Sequence, residues 1–216
     1  MSNPVALVTG FEPFGGDALN PSWLIAQALQ GQRIAGARVR ALQLPCVFGD
    51  AIAVLQDAIA THEPALVLAL GLAAGRSELS IERVAINIDD ARIPDNAGCQ
   101  PVDTPIDPDG PAAHFSTLPI KAMVAALQAE GLAAGVSQTA GTFVCNHVFY
   151  ALQQLLAGTP VRSGFMHVPL MSEQAMAHPG RPTMPLADMV RGTRLAIEVA
   201  LSHGPGDRAL AGGAIA

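Results

Sequence analysis

The feature that most constrains the fold of this chain is a regular alternation of short apolar runs with longer segments of helical periodicity. Apolar runs of strand length begin at Ala6, Val39, Ala65 and Phe165. Runs that are apolar throughout, rather than at every second residue, are typical of strands buried on both faces. The alternation therefore predicts an α/β fold in which helices cover both faces of one sheet.

Five helices are predicted from the periodicity and from residues that cap helices. Asn20 and Pro21 are typical of an N-cap followed by a first-turn proline, and Gly31 is expected to end that helix. The other predicted helices span 50–62, 120–130, 146–157 and 186–203. Apolar and polar residues alternate at 81–93, which favours a half-exposed strand or hairpin. The proline-rich segment 95–111 predicts a long loop.

Length and composition limit the domain organisation and the classes of partner. With 216 residues, half of them hydrophobic, we expect one catalytic domain over 1–203 and a flexible C-terminal tail at 204–216. A net charge of −6 leaves no excess of Lys and Arg, which argues against a nucleic-acid partner. The longest apolar stretch, 64–75, is well short of the ~20 residues of a membrane span, so no membrane association is expected.

The chain start and the cysteine count indicate a cytoplasmic protein. The first ten residues lack the basic region of a signal peptide, and Gly10 interrupts their apolar run. Three cysteines at unpaired spacings make a disulfide framework improbable and favour free thiols in a reducing compartment.

Cys145 is the first candidate for chemistry, because a strand-like segment gives way there to an amphipathic helix. A thiol at a helix N-terminus faces unpaired N–H groups and the positive end of the helix dipole, which both favour the thiolate. His167 is the candidate base, since it lies at the predicted end of a strand, where open α/β sheets position catalytic groups. Each residue alone is more often a buried structural residue, and together they indicate nucleophilic catalysis.

A third group that orients the imidazole is expected in such a pair, and spacing does not identify it. The acids in the relevant region are Glu78, Glu82, Asp89, Asp90 and Asp95. The loop TGFEPFGG could wall a small apolar pocket, but it matches no phosphate-binding pattern. The C-x-H spacing at Cys145 is not completed by a second pair of ligands, so we expect neither a metal nor a cofactor.

Several long motifs in chain order resemble the pyroglutamyl peptidase I family of cysteine peptidases. They are TGFEPFGG with NPSW, GRSELSIERVAINIDDARIPDN, DGPAAHF, LPIK, AGTFVCNHVFY and GFMHVP, and they run from Leu7 to about Pro169. The resemblance implies a three-layer α/β/α sandwich around a twisted, mostly parallel mixed sheet. It also implies a homotetramer that removes the N-terminal pyroglutamyl residue from peptides.

The resemblance assigns roles residue by residue. It implies Cys145 as nucleophile, His167 as general base and Glu82 as the acid that orients the base. It further implies a substrate pocket walled by aromatic rings, with an arginine near the scissile carbonyl: Phe11, Phe14, Phe143 and Arg92.

Two positions depart from the family pattern and would lie at the pocket. Leu72 replaces a usual glutamine, and Cys46 replaces a common threonine. Leucine can neither donate nor accept a hydrogen bond, so recognition of the lactam could differ. Two other functions are therefore considered: a cysteine amidohydrolase for another small cyclic or acylated amine, and a lactam-binding protein that has lost turnover.

Overall fold

A mixed seven-stranded sheet forms the centre of the structure, a computed structural model that describes residues 4–213. Within those residues its strand order is β2-β3-β1-β4-β9-β5-β8. The strands are β1 Val5–Phe11, β2 Arg33–Ile34, β3 Ala37–Leu44, β4 Leu66–Leu72, β5 Leu79–Glu82, β8 Ala134–Ser137 and β9 Arg162–Val168. Two small sheets join β6 Val84–Ile86 to β7 Ala113–Phe115, and β10 Leu170–Met171 to β11 Thr183–Met184.

The α-helices of the described chain pack on both faces of the sheet. They are α1 Pro21–Leu29, α2 Asp50–His62, α3 Ile120–Ala129, α4 Val144–Leu155 and α5 Leu186–Ser202. One core cluster joins the sheet to α1, α3 and α5, and the other joins it to α2 and α4. This arrangement confirms the predicted three-layer α/β architecture with a mostly parallel sheet.

Strand β4 illustrates why its sequence is apolar throughout. Leu66, Leu68 and Leu70 belong to the core on the α1, α3 and α5 side. Val67 and Ala69 point to the opposite face and pack in the core with α2 and α4. Because successive side chains leave a strand on opposite faces, a strand covered on both faces can be apolar at every position, as β4 is.

The helix predictions agree with the structure to within two residues at each end. Asn20 caps α1, since its Oδ1 accepts a hydrogen bond from the Ser22 N–H at 3.1 Å. Helix α4 begins at Val144, two residues earlier than predicted, so that Cys145 lies in its first turn. Burial against the core extends the helix beyond the amphipathic segment that the periodicity indicates.

The segment 81–93 is not one strand or hairpin. Its first part belongs to β5 in the central sheet, and after Arg83 the chain continues as β6, which pairs with β7 in a separate sheet. The predicted loop 95–111 contains no helix or strand. Asp95 stabilises it by accepting hydrogen bonds from the N–H groups of Ala97, Cys99 and Phe48.

The C-terminal segment contacts the body of the protein at several points. The Asp207 carboxylate accepts hydrogen bonds from the N–H groups of Lys121 and Ala122 at the start of α3. The carbonyl of Gly212 accepts hydrogen bonds from Arg83 and Gln138. Residues 1–3 of the predicted domain and 214–216 of the predicted tail lie outside the described residues, and the boundary at 203 stays a prediction.

Between residues 4 and 213, no helix combines the length and the apolar character needed to cross a membrane.

Candidate active site

Strand register brings His167 and Glu82 onto the same face of the sheet. In the antiparallel ladder between β5 and β9, Ser80 lies opposite His167. Glu82 is two residues further along β5, so its side chain leaves the sheet on the same face as a diagonal neighbour of His167. The parallel ladder between β4 and β9 places Gly71 opposite His167 on the other side.

The carboxylate of Glu82 is the hydrogen-bond partner of the His167 ring. The His167 Nδ1 and Glu82 Oε1 atoms are 2.7 Å apart, and the Glu82 side chain is fully buried. The Arg76 guanidinium donates to the same Oε1 atom at 2.6 Å, and it also donates to the Thr139 carbonyl at 2.7 Å. Because a carboxylate oxygen is an acceptor, we assign the proton of this contact to the His167 Nδ1 atom, which then donates to Oε1.

Cys145 approaches the sheet at the position where β4 has no side chain. A Cβ atom added to Gly71 would lie 2.8 Å from the Cys145 Sγ atom and 2.8 Å from the Phe165 ring. Since Gly71 is the register partner of His167, the thiol lies over the strand beside that histidine. The structure thus places the Cys145 thiol on the same face of the sheet as the side chains of His167 and Glu82.

Burial shifts the pKa values of Cys145 and His167 in opposite directions. Burial raises the pKa of the Cys145 thiol, with Cys46 and Glu82 adding to the effect and Arg76 opposing it. Burial also lowers the pKa of His167, against the opposite effect of Glu82. Both shifts favour a neutral thiol beside a neutral imidazole, whereas the helix N-terminus favours the thiolate.

Aromatic rings gather beside the start of α4. Phe143, the N-cap residue of α4, has its ring centroid 6.1 Å from that of Phe14 and 5.4 Å from that of Phe48. These three rings are only partly buried. Phe11 is buried and packs against Phe165 at 6.4 Å, behind the surface that the other rings form.

Two further predicted pocket residues lie near this aromatic cluster. Arg92 is exposed and lines, with Ile93 and Phe143, a surface cavity of about 340 Å³. Cys46 is buried in the same core cluster against which Cys145 packs. Burial, with smaller contributions from Glu12 and Asp95, raises the pKa of Cys46 to about 12.

Leu72 has a different setting. It follows Gly71 in β4, where successive side chains leave the strand on opposite faces. Because Gly71 faces Cys145, the alternation directs Leu72 toward the face of Leu70, away from the thiol. The assignment of Leu72 to the substrate pocket stays a prediction, and the strand geometry argues against it.

His147 forms a second buried histidine–carboxylate pair, separate from that of His167. Its Nδ1 atom lies 2.7 Å from Asp89 Oδ2, and its Nε2 atom accepts a hydrogen bond from the Gly49 N–H at 2.9 Å. Both ring nitrogens therefore have partners in the protein, and no ring nitrogen is left to act as a base. Asp89 and Asp95, two acids that spacing could not distinguish from Glu82, instead contact His147 and loop amides.

Sequence reasoning missed Arg76 and Gly71. The signal for Gly71 was a glycine inside an apolar strand, which often marks a close approach by another group. The signal for Arg76 was a glutamate, Glu82, within an apolar strand segment, because a buried carboxylate needs a cation or several donors nearby.

The α/β sandwich carries a thiol at a helix start, with an imidazole and a buried carboxylate on adjacent strands, and this arrangement is typical of cysteine hydrolases. Sequence comparison agrees with this class, since a family model described as pyroglutamyl peptidase matches residues 5–203. The chain belongs to the pyroglutamyl peptidase family.

Individual relatives are similar over nearly the whole chain. A pyrrolidone-carboxylate peptidase of Cupriavidus taiwanensis is 57% identical over 92% of this chain and 94% of its own length. A pyrrolidone-carboxylate peptidase of Escherichia fergusonii is 55% identical over 96% of this chain and 97% of its own length. The crystal structure of pyroglutamyl peptidase I from Bacillus amyloliquefaciens superposes with a TM-score of 0.93 at 41% identity, covering 98% of this chain and all of that one. The structure of a mutant pyrrolidone carboxyl peptidase from Pyrococcus furiosus superposes with a TM-score of 0.89 at 44% identity. The superposition covers 92% of this chain and 98% of that one.

Proposed function

We propose that this protein hydrolyses the amide bond after an N-terminal pyroglutamyl residue, with Cys145 as nucleophile, His167 as general base and Glu82 as the acid that orients the base. The observation that carries the proposal is the 2.7 Å contact between His167 and the buried Glu82, beside the thiol that lies over Gly71. Family membership supports the substrate class, and it does not favour the alternatives of another amidohydrolase or a lactam-binding protein.

The raised pKa of Cys145 and the lowered pKa of His167 favour a reaction in which proton transfer accompanies attack. The His167 Nε2 atom takes the thiol proton as the Cys145 Sγ atom attacks the carbonyl carbon that follows the pyroglutamyl ring. The proton then passes from Nε2 to the leaving amine as the C–N bond breaks, which leaves a thioester on Cys145. Water, deprotonated by Nε2, attacks the thioester and releases pyroglutamate and the free thiol.

Negative charge develops on the carbonyl oxygen during both attacks. The unpaired N–H groups in the first turn of α4 are the proposed donors to this oxyanion, because Cys145 is the second residue of that helix. In a serine protease, one oxyanion donor is worth roughly 2.7–4 kcal/mol. Arg92, proposed to lie near the scissile carbonyl, is on the same side as Phe143 and would add a positive charge there.

The aromatic cluster suits a neutral five-membered lactam. Phe14 and Phe143 can contact the two apolar faces of such a ring, while backbone groups satisfy its N–H and C=O. A free N-terminal residue would bring a charged amine into this apolar setting at a high desolvation cost. We therefore expect peptides with a cyclised terminus to be preferred over peptides with a free one.

The test is turnover of a pyroglutamyl chromogenic amide by the purified full chain. Cys145→Ser should remove activity, and His167→Ala should lower kcat more than Glu82→Gln, because the latter keeps the base but loses its orientation. Prolyl and acetyl-alanyl amides serve as controls for substrate class. Faster turnover of either control would favour another amidohydrolase, and lactam binding without product would favour a binding protein.

We further propose a cytoplasmic homotetramer, as the family resemblance implies. Val102 and Phe115 expose 69% and 68% of their surfaces, which supplies apolar area for contacts between copies. Light scattering of the full chain tests this proposal, and a monomer at micromolar concentration would contradict it.

A further inference from the structure

Arg76 contacts the same carboxylate oxygen as the catalytic histidine. Its Nη1 atom is 2.6 Å from Glu82 Oε1, and His167 Nδ1 is 2.7 Å from that oxygen. The second oxygen, Glu82 Oε2, is buried and has no hydrogen-bond partner among the described residues. All the stabilisation of this carboxylate by hydrogen bonds is therefore concentrated on one atom that two donors share.

A fully buried carboxylate needs a compensating cation, because an isolated charge in the protein interior is strongly unfavourable. Arg76 is the cation in contact with Glu82, and its side chain retains 26% exposure while that of Glu82 has none. With the charge uncompensated, a buried carboxylic acid would instead hold a proton and become a hydrogen-bond donor. A protonated Glu82 could then donate to His167 Nδ1, which would move the ring proton to Nε2.

We propose that Arg76 is a positioning residue of the reaction: it holds Glu82 as a carboxylate, which keeps the His167 proton on Nδ1 and leaves Nε2 free to act as the base. The inference rests on the proposed function for the role of Nε2. The titratable groups near His167 are Glu82 from β5, Arg76 from the loop after β4, and Cys145 from α4, whose thiol lies over Gly71. Arg76 is the only positive charge among these three groups.

A structural role for Arg76 predicts different results. Its Nη2 atom binds the Thr139 carbonyl in the loop that leads to α4, so its loss could simply displace Cys145. Displacement of Cys145 would reduce activity whether or not residue 82 is charged. The proposed role depends on that charge, so it disappears when Glu82 is replaced by the neutral glutamine.

A double-mutant cycle on pyroglutamyl amide hydrolysis separates the two roles. We expect Arg76→Met to lower kcat by roughly 10- to 100-fold, by analogy with the loss of groups that orient metal-binding histidines, with KM nearly unchanged. In the Glu82→Gln background the same substitution should change kcat by less than about twofold. Arg76→Lys should recover most of the activity. Equal losses in both backgrounds would overturn the proposal.

The proton position on His167 provides a readout that needs no turnover. ¹⁵N NMR of the full chain, with the His167 signals assigned by their loss in His167→Ala, should give the Nδ1–H tautomer in the wild type and in Arg76→Lys. Arg76→Met should move the proton to Nε2. Arg162→Met is the matched control, since Arg162 also binds main-chain carbonyls, at Ala200 and Gly204, but lies away from the site.

The two readouts distinguish failure of this inference from failure of the proposed function. A wild type without pyroglutamyl peptidase activity but with an Arg76-dependent tautomer would leave the proton-positioning role intact. An Nδ1–H tautomer that persists in folded Arg76→Met protein would overturn it. Should Arg76→Met fail to fold, Arg76→Gln and Arg76→Lys, compared by the same NMR measurement, provide the neutral and charged variants.

Discussion

Replacing Gly71 by alanine tests whether the close approach of Cys145 to β4 sets the geometry of the active site. Gly71 has an ordinary backbone conformation, so the substitution introduces no backbone strain and acts through the added Cβ atom alone. That atom would lie 2.8 Å from Cys145 Sγ and from two atoms of the Phe165 ring, about 0.6 Å closer than the shortest ordinary contact of 3.4 Å. At least one neighbour must therefore move.

Phe165 has little freedom to move, because its ring packs between Phe11 and Phe149. The thiol must then take up most of the displacement. A misplacement of about 1 Å can lower an enzymatic rate on the order of 10²-fold, so a shift of about 0.6 Å predicts a loss in kcat of at least ~10-fold. Overpacking of a dense core predicts a decrease of about 1–3 kcal/mol in the free energy of unfolding.

Steady-state kinetics with a pyroglutamyl amide and urea unfolding measure the two effects. Gly75→Ala is the matched control: among residues 4–213 its Cβ atom would meet Arg181 alone, at 3.6 Å, and the substitution should leave both quantities near wild type. Wild-type kcat and stability in Gly71→Ala would refute the reasoning, because the thiol would then not lie against β4 as described.

Three other predictions concern the thiol, the pocket and the C-terminal segment. Because burial raises the Cys145 pKa and lowers that of His167, the rate of Cys145 alkylation by iodoacetamide should rise steadily with pH through neutrality. An alkylation rate that already reaches a plateau below ~pH 6 would instead indicate a thiolate–imidazolium ion pair. Leu72→Gln should lower the free energy of unfolding by ~1–3 kcal/mol and leave KM unchanged, because the amide would be buried on the face of the sheet away from the thiol. A lower KM would instead place residue 72 in the substrate pocket. Asp207→Ala should cost ~0.5–2 kcal/mol in urea unfolding by removing the cap of α3, whereas Asp57→Ala, on an exposed face of α2, should not.

The sequence was sufficient to predict the long elements, because they carry many residues of one period. Helix α2 has the predicted bounds 50–62, and the apolar runs correspond to β1, β3, β4 and β9. The two-residue strands β2, β10 and β11 were not predicted, since so few residues cannot show an alternation. Strand β5 runs antiparallel to β9 and parallel to β8, and this pairing also left no local signal.

The site illustrates the same limit. Cys145 and His167 could be proposed from their positions at the ends of predicted elements, but the choice of Glu82 came only from the family resemblance. Glu82 is near His167 because Ser80 lies opposite His167 in the ladder between β5 and β9. No local sequence pattern specifies that strand pairing. The catalytic roles of all three residues stay predictions. Arg76 escaped notice because an arginine in a polar loop is typical of solvent-exposed surface.

The short ladder between β5 and β9 has a consequence for how this protein folds. Glu82 and His167 are 85 residues apart in the chain, and the ladder that aligns them has two register pairs. Contacts between such distant segments form slowly, because closing the loop between them costs entropy before any pairing compensates it. During refolding, the helices and the β1–β3 unit can form before this ladder does. The return of hydrolysis should therefore lag behind the return of helical circular dichroism, and enzyme activity would report the closing of the sheet.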